Sequence, residues 1–188
     1  MNIRKILALT SIVIIAAMLT GCLECEKKSY TWNFTSPNSG TLTVKYINIE
    51  SNINNKDTEL KPEVQMQNDF NDLKNRFVDG TEAEHDFPDA KFISKRLFEE
   101  DGKLCGEIVF EFDEISQVKL YRHNNSGPFM FFSSDSVISG NGIAGPKYMP
   151  VVFWDSVNKI FNLTTKMSDD TTSVSLIDLW KQDKQKQH

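Results

Sequence analysis

The chain changes its hydrophobic period several times. Tyr30, Trp32 and Phe34 alternate with Thr31, Asn33 and Thr35, the period of two that predicts a strand. A turn cluster follows, Ser36-Pro37-Asn38-Ser39-Gly40. Alternation resumes over 41–50, with Leu42, Val44 and Tyr46 on one face and Thr41, Thr43 and Lys45 on the other. The two segments predict a hairpin. Residues 51–58 are polar and read as a loop. The period then lengthens. Met66, Phe70, Leu73 and Phe77 fall on one face of a helix over about 63–78, with Pro62 before it and Asp79-Gly80 to end it.

The strongest local signal is Lys91–Glu100, Asp101-Gly102, Lys103–Phe112. Asp-Gly between two β-rich arms favours a two-residue type I′ turn. That turn pairs Glu100 with Lys103, Leu97 with Gly106 and Ile93 with Phe110, and sets Arg96 opposite Glu107. Lys95 opposite Ile108 breaks the apolar face and predicts a bulge or an edge. Four more strands are expected at 118–122, 129–133, 149–155 and 159–167. Val151 to Trp154 is apolar on both faces and is expected to be buried on both. A short helix is expected from Ser175 to the C-terminus. The expected fold class is therefore α+β: one domain over 30–188, a mainly antiparallel sheet of about eight strands, one amphipathic helix and a short C-terminal helix.

The N-terminus does not belong to this pattern. Arg4 and Lys5 precede an apolar run from Ile6 to Leu19. As a helix that run spans about 21 Å, short of the roughly 30 Å of a bilayer core. Charge, short apolar run and small residues make a secretory signal. Leu19-Thr20-Gly21-Cys22 follows directly. It resembles the lipobox of bacterial lipoprotein precursors. The resemblance implies a signal peptide over 1–21, cleavage between Gly21 and Cys22, and a diacylglyceryl group on the Cys22 thiol with a further acyl chain on its amine. Residues 22–29 are then expected to be a lipidated tether. Leu23, in place of Asp, implies sorting to the outer membrane.

Composition narrows the function. The chain carries 21 Lys+Arg against 26 Asp+Glu; loss of residues 1–21 would remove Arg4 and Lys5 and no acid. An acidic chain without a basic run lacks the cationic footprint of a nucleic-acid binder. Three Cys are too few for a disulfide-built scaffold. With Cys22 lipidated, Cys25 and Cys105 remain as a candidate disulfide or as two free thiols. His85, His123 and His188 are scattered.

Three motifs offer chemistry. Gly140-Asn141-Gly142-Ile143-Ala144-Gly145 matches G-x-G-x-x-G, but Pro146 follows where a dinucleotide site needs a helix. Ser156-Val157-Asn158-Lys159 matches S-x-x-K without the companion motifs of the penicillin-recognising enzymes. The loop around His85 carries Asp79, Glu82, Glu84, Asp86 and Asp89; Glu82, Glu84, Asp86 and Asp89 are oxygen donors suited to Ca²⁺, though a solvated acidic loop is the simpler reading. No metal and no cofactor is expected. The 13 Phe, three Trp and four Tyr serve packing or, on a curved sheet, an apolar ligand. The reading that results is a lipid-anchored envelope protein with a non-enzymatic binding or structural domain and a protein partner. A carrier of an apolar ligand and an unrecognised envelope enzyme are the alternatives.

Overall fold

The structure is a computed structural model and describes residues 23–53, 60–124, 127–146, 149–167 and 172–186. The first strand, β1 (Leu23–Phe34), pairs antiparallel along its length with β2 (Gly40–Asn52). The alternation seen from Tyr30 onward holds, and it extends further toward the N-terminus. Leu23 and Cys25 are buried, and Lys27 pairs with Lys166. Residues 23–29 are thus strand, not tether, because this half of β1 has its own buried residues and two strand partners. The sequence hides this by a change of parity. The inward residues are Tyr30, Trp32 and Phe34, then Cys25 and Leu23; on β2 they are Leu42, Val44 and Tyr46, then Ile49 and Ser51. Both strands step at the Glu26–Asn48 level, where Asn48 takes φ 57°. Cys25↔Ile49 and Lys27↔Ile47 keep one register, so both sets enter one core. A single step in one strand alone would have turned its side chains outward.

Helix α1 (Pro62–Lys74) continues as a wider π-helical turn over Asn75–Asp79, followed by a 3-10 turn over Glu82–Asp86. The expected stripe packs inward: Phe70, Leu73 and Phe77 are buried and Met66 lies partly buried against them. The π-helical turn buries the neighbours Arg76 and Phe77 together. Phe77 lies over Gly106, where an added Cβ would sit 2.5 Å from its ring. A buried polar tie also joins α1 to β2. Ser51 Oγ donates to Asp69 Oδ2 at 2.5 Å, and Gln65 Nε2 donates to Asp69 Oδ1 at 2.8 Å.

The Asp-Gly hairpin forms as β3 (Lys91–Glu100) and β4 (Lys103–Phe112). Asp101 and Gly102 have φ of 51° and 74°, the positive pair a type I′ turn requires. Glu100↔Lys103, Leu97↔Gly106 and Lys95↔Ile108 are in register. The anomaly at Lys95 has both expected causes, since β3 is an edge strand and the register shifts between Phe92 and Ser94. That shift corrects one pair: Phe92, not Ile93, faces Phe110, and Ile93 is exposed.

A short 3-10 turn at Ile115–Val118 leads to β5 (Leu120–Arg122), β6 (Phe129–Phe132), β7 (Ser136–Gly140), β8 (Ile143–Ala144), β9 (Val151–Trp154), β10 (Ile160–Lys166), β11 (Ser173–Ser175) and helix α2 (Ile177–Lys186). The described residues therefore hold eleven strands, not about eight, and they form two sheets. The larger sheet runs β3-β4-β2-β1-β10-β7, with β11 also on β2; the smaller runs β5-β6-β9-β8. All pairings are antiparallel, so the fold class is α+β. The smaller sheet packs over the Phe34 end of the larger one. α1 covers the other end, where Leu23 and Ser51 lie. Among the described residues no helix is long and apolar enough to cross a membrane.

Candidate functional site

The smaller sheet has two unlike faces. Leu120, Phe129, Phe131, Val152 and Trp154 are buried. They meet Trp32, Phe34 and Phe161 of the larger sheet in a continuous set of ring contacts. Trp32 lies 5.6 Å from Trp154 and 5.1 Å from Phe131; Phe34 lies 5.2 Å from Phe129; Trp154 stacks on Phe161 at 5.2 Å. These rings pack against one another between the sheets.

Among the described residues the other face is exposed at its largest side chains. In register, Tyr121 pairs with Met130, Met130 with Phe153, and Phe153 with Ile143. This row crosses all four strands. Phe132 and Val151 form a second pair beside it. Tyr121 is 72 % exposed, Phe132 66 % and Ile143 77 %, while Met130, Val151 and Phe153 are half-buried. All six are apolar or aromatic and none is charged. An antiparallel sheet with one solvated face ordinarily alternates apolar-in and polar-out. Here the outward positions are apolar as well, and a patch of this kind marks an interaction surface. The expectation that Val151 to Trp154 is buried on both faces is corrected accordingly: Val152 and Trp154 are buried, but Val151 and Phe153 face the uncovered side.

Asn141 fixes the smaller sheet to the larger. Its Oδ1 accepts from Trp154 Nε1 at 2.9 Å and from the Asn162 backbone N–H at 2.8 Å, and its Nδ2 donates to the Ile160 carbonyl at 2.8 Å. The G-x-G-x-x-G segment is thus the crossing from β7 to β8 and not a phosphate loop. Gly142 is needed there because an added Cβ would sit 2.6 Å from both Trp154 and Val152.

A cleft of about 490 Å³ opens beside this sheet, between the Thr35–Pro37 turn, Arg122 and the 156–159 turn. Ser156 and Lys159 both line it, on a turn and not at a helix start. Arg122 is engaged below, with Nε donating to the Gly127 carbonyl at 2.8 Å and its guanidinium 4.6 Å from the Phe129 ring. The lining carries hydroxyls and two cations but no carboxylate, thiol or imidazole. Lys159 is the lining side chain of a kind used for general acid–base catalysis.

Within the acidic loop, Asp86 is taken up by the fold. Asp86 takes Arg76 Nη2 at 2.7 and 2.5 Å on its two oxygens, and Tyr46 Oη donates to Oδ2 at 2.5 Å. Arg76 and Asp86 are nearly buried, and the pair raises the Arg76 pKa against the opposing effect of its burial. Burial and the adjacent Asp86 hold the Tyr46 hydroxyl well above its ordinary range. Glu84 lies 4.0 Å from Lys95, which donates to the Gly80 carbonyl. Glu82, Glu84, Asp86 and Asp89 are not brought together: among the described residues no three His, Cys, Asp or Glu side chains gather to hold a metal.

Cys25 and Cys105 are both free and buried, so the disulfide reading is corrected. Cys25 sits in the core with Leu23 and Ile49, whereas Cys105 lies outside that cluster, beside Lys45 and Glu100. Burial pushes the Cys25 thiol up to about 11, which makes it a poor nucleophile. Gly21, Cys22 and His188 lie outside the described residues.

The signal for the uncovered face was present in the sequence. Phe129-Met130-Phe131-Phe132 and Val151 to Trp154 are apolar at every position, where a half-exposed strand should alternate. A run apolar at every position fits a strand buried on both faces or one with an apolar exposed face, and Val151 to Trp154 is the second. Compared with protein-family models, with curated proteins and with solved structures, the chain matches none.

Proposed function

We propose that the chain is a lipid-anchored protein of the bacterial cell envelope, held to the outer membrane through acylated Cys22, with a non-enzymatic binding domain. The observation that carries the binding role is the six-residue apolar outer face of the smaller sheet. The anchoring role rests on the charged, short apolar leader and Leu19-Thr20-Gly21-Cys22. Several acyl chains on one residue hold a protein firmly where one alone is marginal. The net charge of −5, which becomes −7 once Arg4 and Lys5 are lost (19 basic against 26 acidic side chains), adds no attraction to anionic lipid, so the chains supply the attachment.

The two features are compatible in space. β1 starts at Leu23, the residue after the acylated cysteine. An anchored domain would stand directly on the lipid surface at its α1 end. The smaller sheet packs on Trp32 and Phe34, near the other end of β1, roughly 36 Å further along at about 3.3 Å per residue. The exposed face is then carried clear of the headgroups. Replacing Cys22 by Ser tests the anchor. The expected result is an unprocessed chain without acyl label in cells fed labelled palmitate; normal labelling of that variant would refute it.

A further inference from the structure

We propose that the cleft between the Thr35–Pro37 turn, Arg122 and the 156–159 turn binds a phosphate monoester, held by Arg122, Asn158 and Lys159. Arg76, Arg96 and Arg122 are the arginines of the described residues. Arg76 pairs with Asp86 and Arg96 with Glu107, whereas Arg122 pairs with no carboxylate among them. Arg122 is nonetheless fixed in place. Its Nε donates to the Gly127 carbonyl and its guanidinium sits against the Phe129 ring, which leaves both terminal nitrogens without a partner among the described residues. A guanidinium ordered before the ligand arrives loses little freedom on binding, and its open fork matches two phosphate oxygens. Lys159 brings a second cation to the same cleft, exposed and in no ion pair with a described residue.

Charge selects the ligand. No carboxylate lines the cleft beside the two cations. Asp155, the nearest in sequence, turns back on its own turn, where it accepts from the Val157 N–H at 3.3 Å. A carboxylate ligand would answer one cation; a phosphate monoester carries about −1.5 to −2 at pH 7 and answers both. The hydroxyls of Thr35 and Ser36 are engaged within their own turn, with the Ser39 carbonyl and with the N–H groups of Asn38 and Ser39. The Asn158 amide lines the cleft without a partner among the described residues, so it is free to donate to a phosphate oxygen. Pro37 and the exposed Val157 flank these donors and give the esterified carbon an apolar surface. The cleft, at about 490 Å³, has the volume of a small-molecule site and not of a bare ion. The monoester is a soluble organic phosphate or a lipid headgroup of the same chemistry.

The experiment titrates methyl phosphate into the full chain in neutral detergent and reads the broadening of its phosphorus resonance. Saturable binding in the millimolar range is expected. Arg122→Gln and Lys159→Gln should each weaken it roughly tenfold, the loss of one charge-assisted hydrogen bond. Lys61→Gln, which removes an exposed cation at the start of α1, should leave it unchanged. Lys159 is exposed, so its variant keeps the test open if Arg122→Gln alters the circular dichroism. Methyl sulfate, of the same shape with one charge fewer, should compete roughly tenfold more weakly. No broadening overturns the proposal. So does broadening that Lys159→Gln leaves intact, or a loss that Lys61→Gln shares, since attraction is then diffuse. Equal competition by methyl sulfate overturns the monoester assignment. The source is read in phosphatidylcholine vesicles holding either phosphatidic acid, whose headgroup is a phosphate monoester, or phosphatidylglycerol, a diester. Methyl phosphate binding lost with phosphatidic acid alone assigns the site to a headgroup; binding kept with both assigns it to a soluble monoester. The detergent titration reads the site whether or not Cys22 is acylated, so failure of the anchored reading leaves it standing.

Discussion

Glu26 shows how much a single position can mislead when its partners are distant in sequence. It reads as one charge in a polar tether. In the fold it lies on β1 at the parity step and accepts from Lys103 Nζ at 2.6 Å, from Lys27 at 2.8 Å and from Asn48 Nδ2 at 3.3 Å. Hydrogen bonds from Lys103 and Lys27 lower its pKa to about 2. Its free value lies near 4.5, so between these limits the unfolded chain takes up a proton that the folded chain refuses. The stabilisation is complete above about pH 4.5 and is lost as pH falls through about 2. Partial exposure screens the pair and keeps the effect small. In urea titrations, Glu26→Gln is expected to flatten the stability profile across that window and to leave the profile above pH 5 parallel to the parent's. An unchanged slope between pH 4.5 and 2 would count against the assignment. Lys103 is 77 positions away, and no local pattern could have joined the two.

Elements were readable in proportion to their length and to the local chemistry of their ends. The β3–β4 hairpin follows from Asp101-Gly102 in its turn and in its register out to Ser94↔Val109, beyond which the bulge at Ile93 shifts it by one, and α1 follows from the spacing of Met66, Phe70, Leu73 and Phe77. β7, β8 and β11 were not foreseen, being two to five residues long and without a buried residue; β7 and β11 are also rich in Ser. Such segments become strands because a partner is already in place, β10, β9 and β2 respectively. Asn141 is the clearest case of a role invisible to periodicity. It looked like a loop residue in a glycine-rich motif, yet it satisfies one indole N–H, one backbone N–H and one carbonyl. Asn141→Ala leaves the Trp154 Nε1 and Asn162 N–H groups without their acceptor. At about 1–3 kcal/mol for an orphaned buried donor, the variant should lose roughly that much stability in urea, with faster hydrogen exchange in β8 and β9 than in β1 and β2. Equal protection in both sheets would show that the side chain does not join them.

At the scale of the molecule, the question is whether the two sheets are separate cooperative units. The smaller sheet has strands of two to four residues, and short strands need another layer to persist. Its inner residues have only the larger sheet to pack against, so it cannot outlive that sheet. The converse holds on magnitude. Stripping the smaller sheet away would expose Trp32, Phe34 and Phe161, at about 1.5–3 kcal/mol for each large buried side chain, or roughly 5–9 kcal/mol in all. Whole domains are stable by only about 5–15 kcal/mol. Detachment therefore costs much of the total, and neither sheet has enough left to stand alone. Urea unfolding should be two-state. Trp180, on α2, reports elsewhere, so Trp180→Phe confines indole fluorescence to Trp32 and Trp154, which meet across the joint. In that variant the fluorescence midpoint should coincide with the far-ultraviolet circular dichroism midpoint. Fluorescence changing at lower urea than the dichroism would mean that the joint opens first, and the uncovered outer face would then belong to a sheet that detaches.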